Sequence, residues 1–320
     1  MHKIAIAICT HNRAAALKRT LQSLTYLAIP KDATHRIFLV ANACTDDTLA
    51  VVLTFADLLP LVSCVEYQPG LSVARNTALN MIEGWNPDLV IWCDDDVLVR
   101  KDWMGAYWDA LLSESDIDVL GGPIDPVFEE APPPWIVGGL SIFGFAFAGL
   151  DYGNTQKLLP LGTRGPVGAN MAFRYSSVQG LRFDPALGVT PTRRLGGEEN
   201  DYIARAIKKS GRWAYVAAAR VQHCIPINRT SKQYLSNYYR AVGHSFVLSG
   251  QVSANDFNLF GKPRWIFRVL LFTWFRRMYL AILFPRSERF ARAFEDSETA
   301  IGILEAYGQQ GPRSDVNQVR

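Results

Sequence analysis

The chain has 320 residues, 49% hydrophobic and 20% charged, with a net charge of +3. That suits one large α/β domain plus a smaller appendage around a sizeable core. The small net charge and the lack of any nucleic-acid-reading motif exclude RNA and DNA as expected partners.

The opening MHKIAIAICTHNR does not read as a signal peptide, because its apolar stretch from Ile4 to Cys9 is short and no small-residue cleavage site follows. KIAIAIC instead predicts a buried strand. Asn12 is expected to cap a helix over Ala14 to Leu24. HRIFLVAN is a second strand, followed by a helix from about Asp47 to Leu59 that Pro60 ends. LVSCVEY is a third strand, PGLSVARNTALNMIEGW a loop and helix, and DLVIWCD a fourth strand. This order predicts a parallel sheet with helices on both faces, and ligands bind such sheets at the carboxyl ends of the strands. CTHNR, NACTDD and the triplet Asp94, Asp95 and Asp96 all lie at such ends.

The stretch from Gly121 to Asn154 is rich in Gly, Pro and aromatic residues, so ordered loops forming a pocket wall, or a packed insertion, are expected. GANMAFRYS reads as a strand, GGEENDYIARAIKKSG as a loop entering a helix, and RWAYVAAARVQHC as strand again. From Lys262 to Phe294 the chain is apolar and aromatic with interleaved arginines, and its apolar runs fall short of the roughly 20 residues that span a bilayer. It reads as an amphipathic helical region, either lying on a membrane surface or packed with its arginines in water. The domains expected are residues 1–250 and 251–320. The five cysteines are scattered and odd in number, with neither a zinc spacing nor a disulfide framework, so a reducing cytoplasm is expected, and the basic aromatic C-terminal stretch adds the expectation of peripheral contact at the inner face of the plasma membrane.

Three adjacent carboxylates repel one another and call for a cation. Alternation along an extended segment would turn Asp94 and Asp96 one way and Asp95 the other. Mg²⁺ takes one or two carboxylates plus substrate phosphates, so Asp94 and Asp96 suit a cation that stabilises charge on a departing phosphate. A solvated acidic turn and an aspartyl phosphatase are the alternatives. The second expects Thr or Val where Leu98 stands. Glu198 and Glu199 precede a helix, where a carboxylate serves as general base or merely complements the helix dipole. Arg75 suits a phosphate or a base edge, and His223 a metal or phosphate.

Taken in order, AICTHNR, VANACTDDT, GLSVARNTAL, WCDDDV, GANMAF and GGEENDY resemble the family 2 glycosyltransferases over roughly Lys3 to Ser249. The resemblance implies the GT-A fold, a Rossmann-like sheet flanked by helices, here with a C-terminal helical extension. It implies an inverting transfer from a nucleoside-diphosphate sugar to a saccharide or lipid-linked acceptor, in polysaccharide, glycan or glycolipid assembly. Thr10, Asn12, Asn42 and Arg75 would line the nucleotide pocket. Asp94 would contact the ribose or share in the metal site, and Asp96 would hold Mg²⁺ or Mn²⁺, with His223 near the diphosphate. Glu199 would be the general base, with Glu198 as the fallback, and the stretch containing Asn170 would approach donor or acceptor. Ala41 stands where the family has an Asp that contacts the base, with Asp46 as a substitute, and Glu199 where it most often has Asp. A nucleotide-sugar-binding protein without catalysis is the alternative. The Gln-x-x-Arg-Trp stretch of processive synthases is missing, which points to single addition.

Overall fold

The computed structural model describes residues 1–189, 194–207, 211–248, 252, 258–259 and 262–309. The first strand, β1 (His2–Thr10), leads to α1 (Ala14–Leu24), β2 (Ala33–Asn42), α2 (Thr48–Thr54), β3 (Leu61–Glu66), α3 (Leu71–Glu83) and β4 (Leu89–Cys93). These are the expected alternating units. Helix α2 is shorter than predicted because after Val52 the backbone closes tighter i to i+3 turns, with Phe55 N–H donating to Val52 O at 3.1 Å.

Ile4 to Ile8 are wholly buried, since a central parallel strand has no solvent face. β1 pairs in parallel with both β2 and β4, and β2 with β3. The chain runs outward from β1 through β2 to β3, then returns to the other side of β1 as β4. The switch point therefore lies between β1 and β4, and their carboxyl ends deliver Thr10 and the aspartate triplet to one crevice.

Beyond β4 come β5 (Val97–Val99), α4 (Trp103–Ser113), β6 (Val119–Gly121) and β7 (Ile124–Phe128). Short helices α5 (Pro134–Val137) and α6 (Leu140–Phe143), β8 (Lys157–Pro160), β9 (Asn170–Arg174) and α7 (Tyr175–Val178) follow. The two-residue β10 (Gly188–Val189) and β11 (Arg194–Leu195) precede α8 (Glu198–Ala206), β12 (Arg212–Tyr215), β13 (Val221–Ile225) and α9 (Lys232–Leu248). Antiparallel β9 joins β4 to β6 in an eight-stranded sheet, and β13 lies between β5 and β7 in a second, three-stranded one. The Gly- and Pro-rich middle is thus partly regular structure rather than loops alone.

Two compact units divide the chain. One comprises Met1–Glu129, Phe147–Arg193 and Gly197–Ile225; the other comprises Glu130–Ala146, Arg194–Gly196 and Pro226–Arg320. Helix α9, which the sequence reading places in the first domain, belongs to the second unit. The boundary expected at 250/251 lies outside the described residues, as does Ser249, the end of the stretch that carries the family resemblance.

In the second unit the predicted C-terminal helix is two, α10 (Arg264–Leu283) and α11 (Glu288–Gln309). Pro285 forces the break, because it has no N–H and disfavours helix in the residue before it. Helices α9 and α11 meet at two glycines. A Cβ on Gly243 would lie 2.3 Å from Thr299 O, and one on Gly302 2.1 Å from Arg240 O. Glu298 ties the three long helices together, accepting from Arg240 Nε at 2.8 Å and from Arg277. Phe143 packs against Phe294 and Tyr239, so the middle stretch contributes an aromatic residue to the packing of this unit.

Candidate active site

All the sequence-predicted site residues belong to the first unit. The aspartates form a turn between β4 and β5, not an extended segment. Alternation therefore fails, and Asp95 does not point away from Asp96. Arg13 Nη1 donates to Asp95 Oδ1 at 2.8 Å and to Asp96 Oδ2 at 2.9 Å. Arg13, one residue before α1, supplies part of the positive charge that the triplet calls for. The sequence reading quoted Arg13 within CTHNR without giving it a role.

One guanidinium does not neutralise the triplet. Burial pushes the Asp94 carboxyl up to about 6, helped by Asp96 and opposed by Arg75. Burial also raises Asp95 despite the pull of Arg13. Asp96 faces a second partner, with His223 Nε2 3.1 Å from its Oδ1. His223 sits mid-strand in β13, opposite Val97 of β5, and this register brings it to the turn. Its Nδ1 is 2.8 Å from Phe147 O. A backbone carbonyl on Nδ1 fixes the ring and aims Nε2, as is usual for a metal-ligating histidine.

Among the described residues no three His, Cys, Asp or Glu side chains converge on one metal position. A Mg²⁺ or Mn²⁺ that takes most of its ligands from a diphosphate and water does not need three. The excess of carboxylates over arginines at the triplet, and the aimed Nε2 beside Asp96, fit such an ion.

Arg75 lies on the buried stripe of α3 with Ala78, Leu79 and Ile82, and is almost fully enclosed. Its Nη1 donates to Glu198 Oε1 at 3.2 Å and its Nη2 to Glu199 Oε1 at 3.0 Å. The guanidinium carbon lies 5.1 Å from the centre of the Phe183 ring. The terminal nitrogens that the sequence reading offered to a phosphate or base edge therefore hold the two glutamates.

Helix α8 begins with those glutamates. Glu198 is buried, and its carboxyl is pushed up to about 7 by burial and then by the charge of Glu199, against the pull of Arg75. Glu199 is more open, with 27% of its side chain exposed. Its Oε2 accepts the Gly168 N–H at 2.8 Å. A Cβ on Gly168 would lie 2.2 Å from Glu199 Oε1, so only glycine lets the carboxylate approach. The sequence reading expected this glycine-flanked stretch to approach a ligand; what approaches it is Glu199.

Asn170 is not available to a substrate. Its Oδ1 accepts from Trp103 Nε1 at 2.9 Å and from Tyr107 at 2.8 Å, while its Nδ2 donates to Pro123 O at 3.1 Å and Ala219 O at 2.7 Å. Both amide lone pairs and both amide hydrogens are engaged in the core. Asn42 is similarly occupied. It donates to Gln68 O at 2.7 Å and accepts the Gly70 N–H at 2.9 Å, holding the β3–α3 loop against β2.

Asn12 does not cap α1. It adopts a left-handed backbone with φ of 52°, and its Oδ1 accepts the Thr45 N–H at 2.7 Å. Asp46 reaches the helix start instead, accepting the Ala14 N–H at 3.0 Å and bonds from Thr48. That engages Asp46 in loop structure rather than leaving it free for a base. Thr10 is buried beside these loops, and Ala41 is buried within β2.

The model for Glycosyl transferase family 2 matches residues 5–182, from β1 through β9 and α7. Similar solved structures include S. aureus TarS 1-349 in complex with UDP-GlcNAc, 15% identical, covering 98% of this chain and 94% of that one with a TM-score of 0.55. The mannosyltransferase PcManGT from Pyrobaculum calidifontis, in complex with GDP-Man and Mn²⁺, is 15% identical, with coverage of 96% and 75% and a TM-score of 0.55. A further S. aureus TarS structure is 15% identical with a TM-score of 0.54, and this chain spans 55% of its length. No curated protein matches the chain. These likenesses establish the GT-A fold. With the family model matching more than half of the residues and the carboxylate turn at the switch point of that fold, the chain belongs to glycosyl transferase family 2.

Proposed function

We propose that the protein is an inverting, metal-dependent glycosyltransferase of hexosyl type, moving a sugar from a nucleoside-diphosphate donor to the hydroxyl of a saccharide or lipid-linked acceptor. The observation that carries this reading is Glu199. It is a partly open carboxylate fixed by Gly168 N–H and Arg75 at the head of α8. A general base needs that combination of access and fixed direction.

In the proposed reaction the acceptor oxygen attacks the anomeric carbon from the face opposite the leaving group. Its proton passes to a Glu199 oxygen. The bond from the anomeric carbon to the phosphate oxygen breaks, and its electron pair leaves with the diphosphate. Asp96 and His223 would hold Mg²⁺ or Mn²⁺, which supplies Lewis-acid stabilisation of the leaving diphosphate. Asp94 faces the ribose or shares the ion. Thr10 and the loops that Asn12 and Asn42 brace line the nucleoside side. TarS and PcManGT are solved in complex with UDP-GlcNAc and with GDP-Man, which supports a nucleoside-diphosphate sugar as the donor class here. Polysaccharide, glycan or glycolipid assembly is the proposed setting.

Calorimetry with nucleoside diphosphates, with and without Mn²⁺, tests the donor site. One nucleotide should bind in a metal-dependent way that Asp96→Ala abolishes. Glu199→Gln should abolish donor hydrolysis and transfer while leaving nucleotide affinity within about twofold. Loss of binding together with turnover would remove Glu199 from the base role. The alternative of binding without catalysis predicts metal-dependent nucleotide binding and no hydrolysis by the unaltered chain.

A further inference from the structure

Helix α10 buries only a narrow stripe. Ile266, Thr273 and Leu280 face inward. On the opposite side Leu271, Phe272, Phe275, Tyr279 and Ile282 are 60, 67, 59, 60 and 74% exposed. Isolated exposed apolar residues are ordinary, but a continuous aromatic and aliphatic face over three turns is not. Arg276 and Arg277 do not interrupt it. They turn onto α11, where Arg276 Nη1 lies 2.8 Å from Asp296 Oδ2 and Arg277 pairs with Glu298. Exposed Arg264 and Arg268 stand at one end of the face, and exposed Arg286 and Arg289 just past the other. From Lys262 to Ser287 there is no Asp or Glu, and exposed Glu288, between Arg286 and Arg289, leaves that end with a net charge of one arginine.

We infer that this outer face of α10 docks the protein on an anionic lipid surface. Leu271, Phe272, Phe275, Tyr279 and Ile282 enter the boundary between acyl chains and headgroups, while the arginines at both ends meet lipid phosphates. The helix lies in the plane of the surface, since no helix among the described residues is long and apolar enough to cross a membrane. A second copy fits less well. Because both ends of the face are cationic, pairing two copies in either direction sets arginine against arginine. An anionic bilayer matches an apolar centre flanked by positive charge.

The full chain is tested by flotation with vesicles of phosphatidylcholine alone and of phosphatidylcholine mixed with phosphatidylglycerol. It should float with the mixed vesicles only, and salt should release it. Arg264→Gln with Arg268→Gln should weaken partitioning roughly tenfold or more. Phe272→Glu with Phe275→Glu should abolish it. Circular dichroism checks folding of both variants, and the arginine pair, being exposed, keeps the test decisive if the second variant misfolds. An unaltered chain that stays in solution, or variants that float equally well, would overturn the inference. So would a soluble dimer that Phe272→Glu with Phe275→Glu converts to monomer without any vesicle binding, which assigns the face to a second copy. Nucleotide binding is read in the same samples, so failure here is distinct from failure of the transfer chemistry.

Discussion

Arg75 Nη2 lies 3.0 Å from Glu199 Oε1, and the same guanidinium also pairs with Glu198, packs over Trp92 and Phe183, and acts on Asp94. This places a buried cation behind the proposed base rather than in front of a phosphate. Arg75→Met would strand the buried Glu198 and take one partner from the more open Glu199, and breaking a buried pair costs about 3–5 kcal/mol. Its unfolding midpoint in urea should fall accordingly. Arg75→Lys keeps the charge but not the two-pronged geometry. It should retain most stability and lose donor hydrolysis by about a hundredfold. Unchanged hydrolysis in Arg75→Lys would show that the pair is structural only.

Gly168 offers a gentler probe of the same carboxylate. An added Cβ would lie 2.2 Å from Glu199 Oε1 and 2.5 Å from Arg75 Nη2, so the ends of both side chains must move, while Gly168 itself is not in a left-handed conformation that alanine would strain. Gly168→Ala should therefore fold, bind nucleotide diphosphate normally, and lose turnover by about a hundredfold, the usual consequence of misplacing a catalytic group by about 1 Å. A drop in nucleotide affinity of the same size would mean that the glycine serves the donor pocket instead.

The strands, the first helices and the gathering of the motifs at strand carboxyl ends were legible because hydrophobic runs and Gly, Pro and Asn punctuation are local signals, whereas the switch point depends on the strand order. The pairings inside the site were not. Asp95 faces Arg13 because the triplet turns, and the alternation rule presumes an extended chain. Asn170 and Asn42 look like binding residues in a motif, yet each closes a backbone network that only the folded sheet brings together. Arg75 carried a usable signal: it falls on the apolar stripe of α3, where an arginine must find buried partners. The exposed face of α10 was visible as composition, whereas the inward turn of Arg276 and Arg277 required α11.

Glu198 gives the fold a pH dependence. Its ordinary value of 4.5 rises to about 7 in the folded state, through burial first and Glu199 second. The folded protein thus holds this proton more tightly than the unfolded chain does. The resulting stabilisation is full below about pH 4.5 and disappears as pH rises through about 7. Glu198→Gln mimics the protonated form and should flatten this part of the profile. Between pH 5 and 8 the unaltered chain should lose on the order of 2 kcal/mol relative to Glu198→Gln. Asp94, raised to about 6, acts in the same window with the same sign, and because Asp94 also raises Glu198, the difference between the two proteins reads Glu198 together with its interaction with Asp94. Parallel stability profiles would mean that Glu198 is already ionised at pH 5.

Arg13 and a divalent cation compete for the same carboxylates under the proposed function. Arg13 Nη1 bridges Asp95 and Asp96, and Asp96 is the proposed metal ligand. Removing the guanidinium leaves the triplet with greater uncompensated charge. Arg13→Ala should therefore be less stable without metal, by about 1–3 kcal/mol for charged hydrogen bonds lost at a partly exposed arginine. It should bind Mn²⁺ alone more tightly, by roughly tenfold, because opposing charge at close range favours the ion. Electron paramagnetic resonance of free Mn²⁺ measures that affinity directly, without donor or acceptor. Asp96→Asn should remove the gain in the double variant if the ion sits at the triplet. Weaker Mn²⁺ binding in Arg13→Ala would instead mean that the arginine organises the carboxylates for the ion and holds its place with the ion bound.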